Sequence, residues 1–193
     1  MVHDMHRAML QSLLGAGEVS EDEMLALTRQ LVDIYRADLA TSRYRRYTSA
    51  AVNGAMVDDC VNEINHQLEF LALKVAKAHC ASDGAFHYAL VNLVHDDHAN
   101  KGHTFMPAQI ALFAKVRDEI EQNEEGAAAT GVASIDVMGA ENLRLDLGQG
   151  LKMDDALYQT TIEKLIAQRW LEVGGDDESE IRLGPRSVLQ AQY

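Results

Sequence analysis

Residues 158–189 read YQTTIEKLIAQRWLEVGGDDESEIRLGPRSVL, and this stretch decides the fold. Its first part carries apolar residues at the spacing of one helix face, which predicts an amphipathic helix ending near Arg169: Tyr158, Ile162, Leu165 and Ile166. Two short strands follow at 169–173 and 180–183, separated by a glycine pair and an acidic turn. Pro185 then predicts a last helix, because proline at a first helical position lacks only an N–H that would have no partner there. A helix followed by such a hairpin is typical of the end of a winged-helix domain.

The first half of the chain shows the same order of elements. A helix is predicted over residues 3–14, and a second begins at Ser20, whose hydroxyl can form a capping box with Glu23. A third helix carries the cleanest apolar stripe of the sequence: Val57, Cys60, Val61, Ile64 and Leu68. Two strands, at 71–76 and 86–94, then form a hairpin around a Ser-Asp-Gly turn. Three helices and a hairpin again indicate a winged helix.

These patterns predict an α+β, mainly helical protein made of two tandem winged-helix domains. Domain A covers residues 1–95 and includes a stretch without periodicity at 37–55. A polar linker covers 96–104, and domain B covers 105–193.

Three further elements are predicted inside domain B. Pro107 marks the first turn of a helix. A short strand is expected at 131–133, followed by a short helix at 134–142 with Ser134 as its N-cap.

Composition and charge limit the classes of function. With 193 residues, 47% of them hydrophobic, the chain can bury two small cores. Up to His103 it holds 9 Lys+Arg and 14 Asp+Glu, and after it 8 and 16, so both halves are acidic within a total of −13. Both halves would on average repel DNA phosphates. No apolar run is long enough to span a bilayer and the first residues are not those of a signal peptide, so we expect a soluble intracellular protein without membrane contact. Cys60 and Cys80 are expected to be free, buried thiols.

Residues 43–47 (RYRRY) form the one basic segment with interleaved aromatic residues. Arg43, Arg45 and Arg46 could contact a phosphate backbone while Tyr44 and Tyr47 stack on bases or lie along the sugars. The alternative is a mobile, solvated insertion, or one that docks on an acidic partner. Lys74 and Lys77 would extend the patch if the fold brings them to it.

Sequence-specific DNA reading is not favoured. The segments that correspond to recognition helices begin with Asp58-Asp59 and Asp154-Asp155. Carboxylates suit a helix N-terminus, where the helix dipole favours anions, but they oppose insertion into a groove.

Metal and catalytic motifs are weak. Three imidazoles and two carboxylates lie within nine residues, from His95 to His103, but they fall in the predicted linker, so a solvated loop is favoured over a zinc site. His3 and His6 are three apart on the first helix and are interpreted as a surface pair rather than a metal site. There is no glycine-rich phosphate loop, G-x-S-x-G or H-E-x-x-H motif, and no catalytic or metal-binding residue is assigned.

Some apolar residues exceed what one small domain needs for its core. They are candidates for a partner interface: Met5, Met9, Leu10, Trp170 and Leu171. Aromatic and methionine-rich patches are enriched at interfaces, although core packing is the alternative explanation.

Several segments together resemble the non-SMC element one family, whose members are subunits of an SMC-type chromosome-maintenance complex. They are HDMHRAMLQSLL at 3–14, YALVN at 88–92, MPAQIALF at 106–113, RWLEV at 169–173 and LGPRSVL at 183–189. The likeness covers nearly the whole chain in order.

The resemblance implies an assembly subunit of a complex for DNA repair and recombination, located in the nucleus on chromatin. It implies a MAGE-type winged-helix partner, a kleisin subunit, and DNA contact that is weak and made mainly through the partner. Family members also carry a zinc-binding RING-like domain that supports ubiquitin-ligase activity, and this sequence ends at Tyr193, where its cysteine and histidine ligands would begin. We therefore expect no zinc, no other cofactor and no ubiquitin transfer for these residues, which would be a truncated form or a member without that domain. A free-standing winged-helix DNA-binding regulator is the alternative.

Overall fold

The computed structural model describes residues 3–94, 105–123, 131–148, 150–175 and 177–192. The chain divides into two compact units. Unit 1 contains Met1–Cys80, Gly84–Val94 and Leu189–Tyr193, and unit 2 contains Ala81–Asp83 and His95–Val188. The predicted linker at 96–104 lies outside the described residues, so its bounds stay a prediction.

Unit 1 has the element order of a winged helix. In chain order its helices and strands are α1 (Asp4–Ala16), β1 (Glu18–Ser20), α2 (Glu21–Ile34), α3 (Arg36–Ala40), α4 (Gly54–Leu68), β2 (Leu73–His79) and β3 (Phe86–Asn92). Single 3-10 turns lie at Ser49–Ala51 and Glu69–Leu71. The antiparallel sheet has the order β1-β3-β2, with Val19 opposite Tyr88 and Val75 opposite Leu90. The β2–β3 hairpin is the wing, which confirms the predicted fold class.

Local capping fixes where the helices of unit 1 begin. The predicted capping box is present, since the Glu23 N–H donates to Ser20 Oγ and the Ser20 N–H donates to the Glu23 carboxylate at 2.8 Å. Asn53 caps α4 by accepting from the Met56 N–H at 3.0 Å. The helix therefore begins at Gly54, and the expectation that it starts with Asp58-Asp59 is wrong, because those residues lie in its second turn.

The core of unit 1 lies between α1, α2, α4 and the sheet. Its fully or nearly fully buried members include Met5, Met9, Leu13, Met24, Val57, Cys60, Ile64 and Tyr88. Each buried side chain of this size contributes about 1.5–3 kcal/mol relative to its exposed state. The strand β1 also brings the Glu18 carboxylate against the His87 ring of β3, and both side chains are buried.

One side chain connects α4 to the edge of the sheet. The Asn65 amide donates to the Val75 carbonyl at 3.0 Å, and its oxygen accepts from the Val75 N–H at 2.7 Å. Because β2 is an edge strand, a single asparagine occupies both backbone groups of an edge residue.

Unit 2 repeats this order on a shorter sheet. Its elements are α5 (Pro107–Gln122), β4 (Ser134–Asp136), α6 (Val137–Asn142), α7 (Asp155–Ala167), β5 (Leu171–Gly174) and β6 (Glu180–Leu183), and α8 (Pro185–Ala191) follows. The antiparallel sheet has the order β4-β6-β5. Its core includes Leu112, Val116, Ile120, Tyr158, Leu165, Leu171 and Ile181.

Two predictions for unit 2 are wrong by a few residues. The strand lies at Ser134–Asp136 rather than at 131–133, because Ile135 pairs with Ile181 and both are buried. The cap of α6 is Asp136, which accepts from the Gly139 N–H at 2.7 Å, and not Ser134. A tertiary pairing therefore overrides the local capping signal.

The end of α7 explains why β5 begins at Leu171 and not at Arg169. Arg169 has a left-handed φ of 62°, and the Trp170 N–H donates to the Leu165 carbonyl at 2.9 Å, so these residues close the helix. Gly184 packs directly on this turn, because a Cβ at Gly184 would lie 2.4 Å from the Arg169 carbonyl oxygen. The space at position 184 therefore admits only a glycine.

Within the described ranges, no helix has both the length and the apolar composition needed to cross a bilayer.

Candidate functional site

The basic segment at residues 43–47, here the arginine loop, lies on the outer surface of α4. Tyr44 and Tyr47 are both buried in the core of unit 1, with ring centroids 5.4 Å apart. Burial raises the pKa of the Tyr47 hydroxyl to about 12. Buried rings cannot stack on bases, so the predicted stacking role of the two tyrosines is wrong.

Two arginines of the loop are neutralised by carboxylates of α4. Arg43 donates to Glu63 at 2.6 Å, and Arg46 donates to Asp59 at 2.6 Å. Each guanidinium also lies over the ring of the tyrosine that follows it, at 4.7 and 5.6 Å from the centroid. The loop is therefore anchored on its own chain: its tyrosines are buried, and two of its arginines, although exposed, pair with acidic groups of α4.

Arg45 differs from its neighbours. Its side chain is exposed, and among the described residues no ion pair involves it. Lys77 does not join the loop, because its ammonium pairs with Glu21 at 2.7 Å and lies 3.7 Å from Asp58. One uncompensated guanidinium is a weak phosphate site.

The loop and α4 enclose a pocket of about 390 Å³. The pocket is lined by basic, acidic, aromatic and amide side chains: Arg43, Tyr44, Arg46, Tyr47, Asp59, Asn62, Glu63 and His66. In a DNA-binding winged helix this face of the third helix would enter the major groove. Here the chain's own arginine loop covers part of this face of α4. The positive charges of Arg43 and Arg46 cancel the negative charges of Glu63 and Asp59, so these two arginines add no net positive charge to the face.

His6 lies behind the loop and is fully buried, so its interpretation as a surface residue is wrong. Its ring centroid is 4.8 Å from that of Tyr44 and 6.4 Å from that of Tyr47, and neither ring nitrogen has a hydrogen-bond partner. Loss of hydration on burial lowers the pKa of His6 from 6.5 to about 4, and the negative charge of Glu63 opposes this shift. His3 acts as the N-cap of α1, accepting from the Met5 N–H at 3.1 Å.

The predicted partner-interface residues are mostly core residues. Met5, Met9 and Leu171 are fully buried, which favours the alternative explanation of core packing. Leu10 is partly buried against the core of unit 1. Trp170 is partly buried against the core of unit 2, with the Arg186 guanidinium 4.4 Å from its ring. A partner contact of Leu10 or Trp170 stays a prediction.

Four exposed apolar residues that sequence reasoning missed lie together in unit 1. Phe70 is 83% exposed, Leu71 52%, Leu93 41% and Val94 48%. The two pairs are adjacent because the Leu93 N–H donates to the Ala72 carbonyl at 2.9 Å. We call these four residues the Phe70 patch. Its signal in the sequence is Phe70, an apolar residue that follows the apolar stripe of α4 but falls outside its spacing.

The described part of the chain offers neither a metal-binding cluster nor a disulfide. The described residues hold no group of three or more His, Cys, Asp or Glu side chains arranged for a metal ion. The cluster from His95 to His103 lies outside them. Cys60 and Cys80 are both buried, and neither forms a disulfide.

Comparisons with known proteins cover nearly the whole chain. A family model described as "Nse1 non-SMC component of SMC5-6 complex" matches residues 6–190. Among curated proteins, "Non-structural maintenance of chromosomes element 1 homolog" from Mus musculus is 25% identical over 190 residues, and that from Homo sapiens is 24% identical; each alignment covers 98% of this chain. The Xenopus laevis homolog is 23% identical over 192 residues. The chain spans 62% of the length of these relatives.

A solved structure described as "Nse1-Nse3-Nse4 complex" contains a chain of the same fold. The TM-score is 0.78 at 22% identity, covering 98% of this chain and 72% of the other.

Proposed function

Because the chain belongs to the Nse1 family, the non-SMC component of the SMC5-6 complex, we propose that residues 1–193 are its non-catalytic assembly region. Through winged-helix surfaces they dock on a MAGE-type subunit and on the kleisin subunit of the same complex. The solved complex that contains a chain of the same fold, in which Nse1 is named together with Nse3 and Nse4, supports this assignment.

The partly covered face of α4 is the observation that supports an assembly role over direct DNA reading. Arg43 and Arg46 are held 2.6 Å from Glu63 and Asp59, so two carboxylates offset the positive charge that these arginines would offer to a phosphate. The total charge of −13 adds repulsion at longer range. DNA is then bound mainly by the partner, with Arg45 as a minor contact.

The cellular setting follows from the family. We propose a nuclear, chromatin-associated protein acting in DNA repair and recombination. Zinc binding and RING-type ubiquitin-ligase activity, which the resemblance assigns to a further domain, are not proposed for residues 1–193. A ubiquitin-transfer assay and zinc analysis of this chain, each expected to be negative, test that part.

The main experiment is reconstitution. The full 193-residue chain is co-purified with recombinant MAGE-type and kleisin subunits, and the mass of the product is measured by light scattering. A stoichiometric complex is expected, and chains that elute separately at micromolar concentration contradict the proposal.

DNA binding separates the assembly subunit from the free-standing regulator. The chain alone is titrated with a duplex over a range of salt, and a slope of roughly 1 or less is expected, because each neutralised phosphate adds about 0.9 to it. Arg43, Arg45 and Arg46 are then changed together to Glu. Loss of strong binding by the isolated chain supports the regulator, whereas loss only within the complex supports the auxiliary role.

A further inference from the structure

The Phe70 patch is an apolar surface without a role in the core. Phe70 is not among the core residues of unit 1, although it lies only two residues beyond the end of α4. Four exposed large apolar residues are brought close to one another there by the backbone, and Phe70, at 83%, is the most exposed large apolar side chain among the described residues. Contiguous apolar surface of this kind marks an interaction site in a soluble protein.

The backbone holds the patch in place. Ala72 adopts the left-handed conformation, with φ 52° and ψ 36°, although it is not glycine. Its N–H donates to the Glu69 carbonyl at 3.1 Å, and its carbonyl accepts from Leu93. Left-handed backbone is unfavourable for a residue with a Cβ and persists where the surrounding structure fixes it. The turn therefore presents Phe70 and Leu71 in a fixed, preorganised arrangement.

The charges beside the patch select the kind of partner. Glu69 lies between the helix and Phe70, and its side chain is 82% exposed. The C-terminal end of α4 adds the negative end of a helix dipole, and the only basic residue of the last turn is His66, whose ring lies 3.9 Å from Glu69. An apolar surface with an exposed carboxylate at one edge is complementary to apolar side chains flanked on one side by Lys or Arg.

We propose that the Phe70 patch binds an amphipathic helix of a partner subunit whose apolar stripe is flanked by basic residues. This inference rests on the proposed assembly function and adds the surface and the chemistry of its partner. Phe70 is the central anchor, inserted between apolar residues of the incoming helix, and Leu71, Leu93 and Val94 exclude water around it. Glu69 accepts from a basic side chain at the rim.

The test uses the full chain and the recombinant MAGE-type and kleisin subunits, with affinities measured by calorimetry. Phe70→Ser is expected to weaken binding by roughly 30-fold, as for the loss of a central anchor. Leu145→Ser is the matched control, because Leu145 is also highly exposed but belongs to unit 2. Thermal unfolding shows that both variants are folded.

The rim is tested separately. Glu69→Lys is expected to slow association and to reduce its salt dependence, whereas Asp22→Lys, an exposed carboxylate on α2, leaves both unchanged.

The outcomes are distinct. If Phe70→Ser binds within about twofold of the wild type, the inference about the patch is overturned but the assembly function stands. The same conclusion holds if Leu145→Ser weakens binding as much as Phe70→Ser does. If the wild-type chain binds neither the MAGE-type nor the kleisin subunit, both the inference about the patch and the proposed assembly function are overturned. A concentration-dependent dimer of the wild type that is lost in Phe70→Ser assigns the patch to a second copy and overturns the partner assignment.

Discussion

Stability should fall on acidification because of one buried histidine. His6 has no hydrogen-bond partner at either ring nitrogen, and its ring lies among those of Tyr44, Tyr47 and His3. The negative charge of Glu63 raises its pKa and the positive charge of Arg43 lowers it. In the folded state its pKa is about 4, against 6.5 in the unfolded chain. Between these values the unfolded state binds the proton and the folded state does not, so acid favours unfolding.

The size of the effect follows from the two pKa values. The gap between 6.5 and about 4 corresponds to roughly 3 kcal/mol of stability. This contribution is complete above pH 6.5 and is lost progressively as the pH falls to about 4, below which both states are protonated and no further loss occurs.

The assay compares the wild type with His6→Phe, an aromatic side chain that cannot be protonated. Free energies of unfolding are measured with urea at several pH values between about 7 and 4.5, followed by circular dichroism. The wild type should lose roughly 2 to 3 kcal/mol more than the variant over this range. The comparison isolates His6, because every other titratable group is common to both proteins.

A second variant serves as control. His66→Gln removes an exposed imidazole of α4 and should retain the full pH dependence of the wild type. If the wild type and His6→Phe lose stability in parallel, His6 is solvated or hydrogen-bonded in the folded protein and the reasoning is refuted.

Three further substitutions test other features. Gly184→Ala should destabilise by at least about 2 kcal/mol in thermal unfolding, because its Cβ meets the Arg169 carbonyl, whereas Gly148→Ala, with open space around it, should be near neutral. Asn65→Asp should cost about 1–3 kcal/mol in urea unfolding at neutral pH, because a carboxylate cannot donate to the Val75 carbonyl; Asn62→Asp, exposed on the same helix, should cost much less. Arg46→Ala should cost no more than about 0.5 kcal/mol, since its pair with Asp59 is largely exposed, and a larger loss in the same assay would show that the arginine loop is required for folding.

Sequence periodicity was sufficient for the elements that have long apolar stripes. The stripe from Val57 to Leu68 predicts α4 because every one of its members faces the core, and the Ser20–Glu23 capping box places the start of α2. The three-residue strands β1 and β4 carry too few residues to show a period. Each exists only through pairing with a distant strand, as Ile135 does with Ile181.

The candidate site was harder to predict because its contacts are non-local. His6 has the spacing of one helix face with Met9 and Leu13, but a polar residue there is normally placed on the surface, and the rings that cover it belong to the distant Tyr44 and Tyr47. The pattern RYRRY suggested a phosphate-binding loop, and only the fold shows that Glu63 and Asp59 already neutralise two of its arginines. The exposure of Phe70 was missed because an apolar residue next to an apolar stripe is normally assigned to the core, even where it falls outside the spacing of the stripe.

The double hydrogen bond of Asn65 has a consequence for long-term integrity. By occupying both backbone groups of Val75, it keeps the outer edge of β2 from serving as a template for strands of other molecules. Asparagine amides hydrolyse slowly to carboxylates, and that change would remove the donor and leave the Val75 carbonyl open. Chemical ageing at this one position would therefore expose one backbone acceptor at the edge of the sheet.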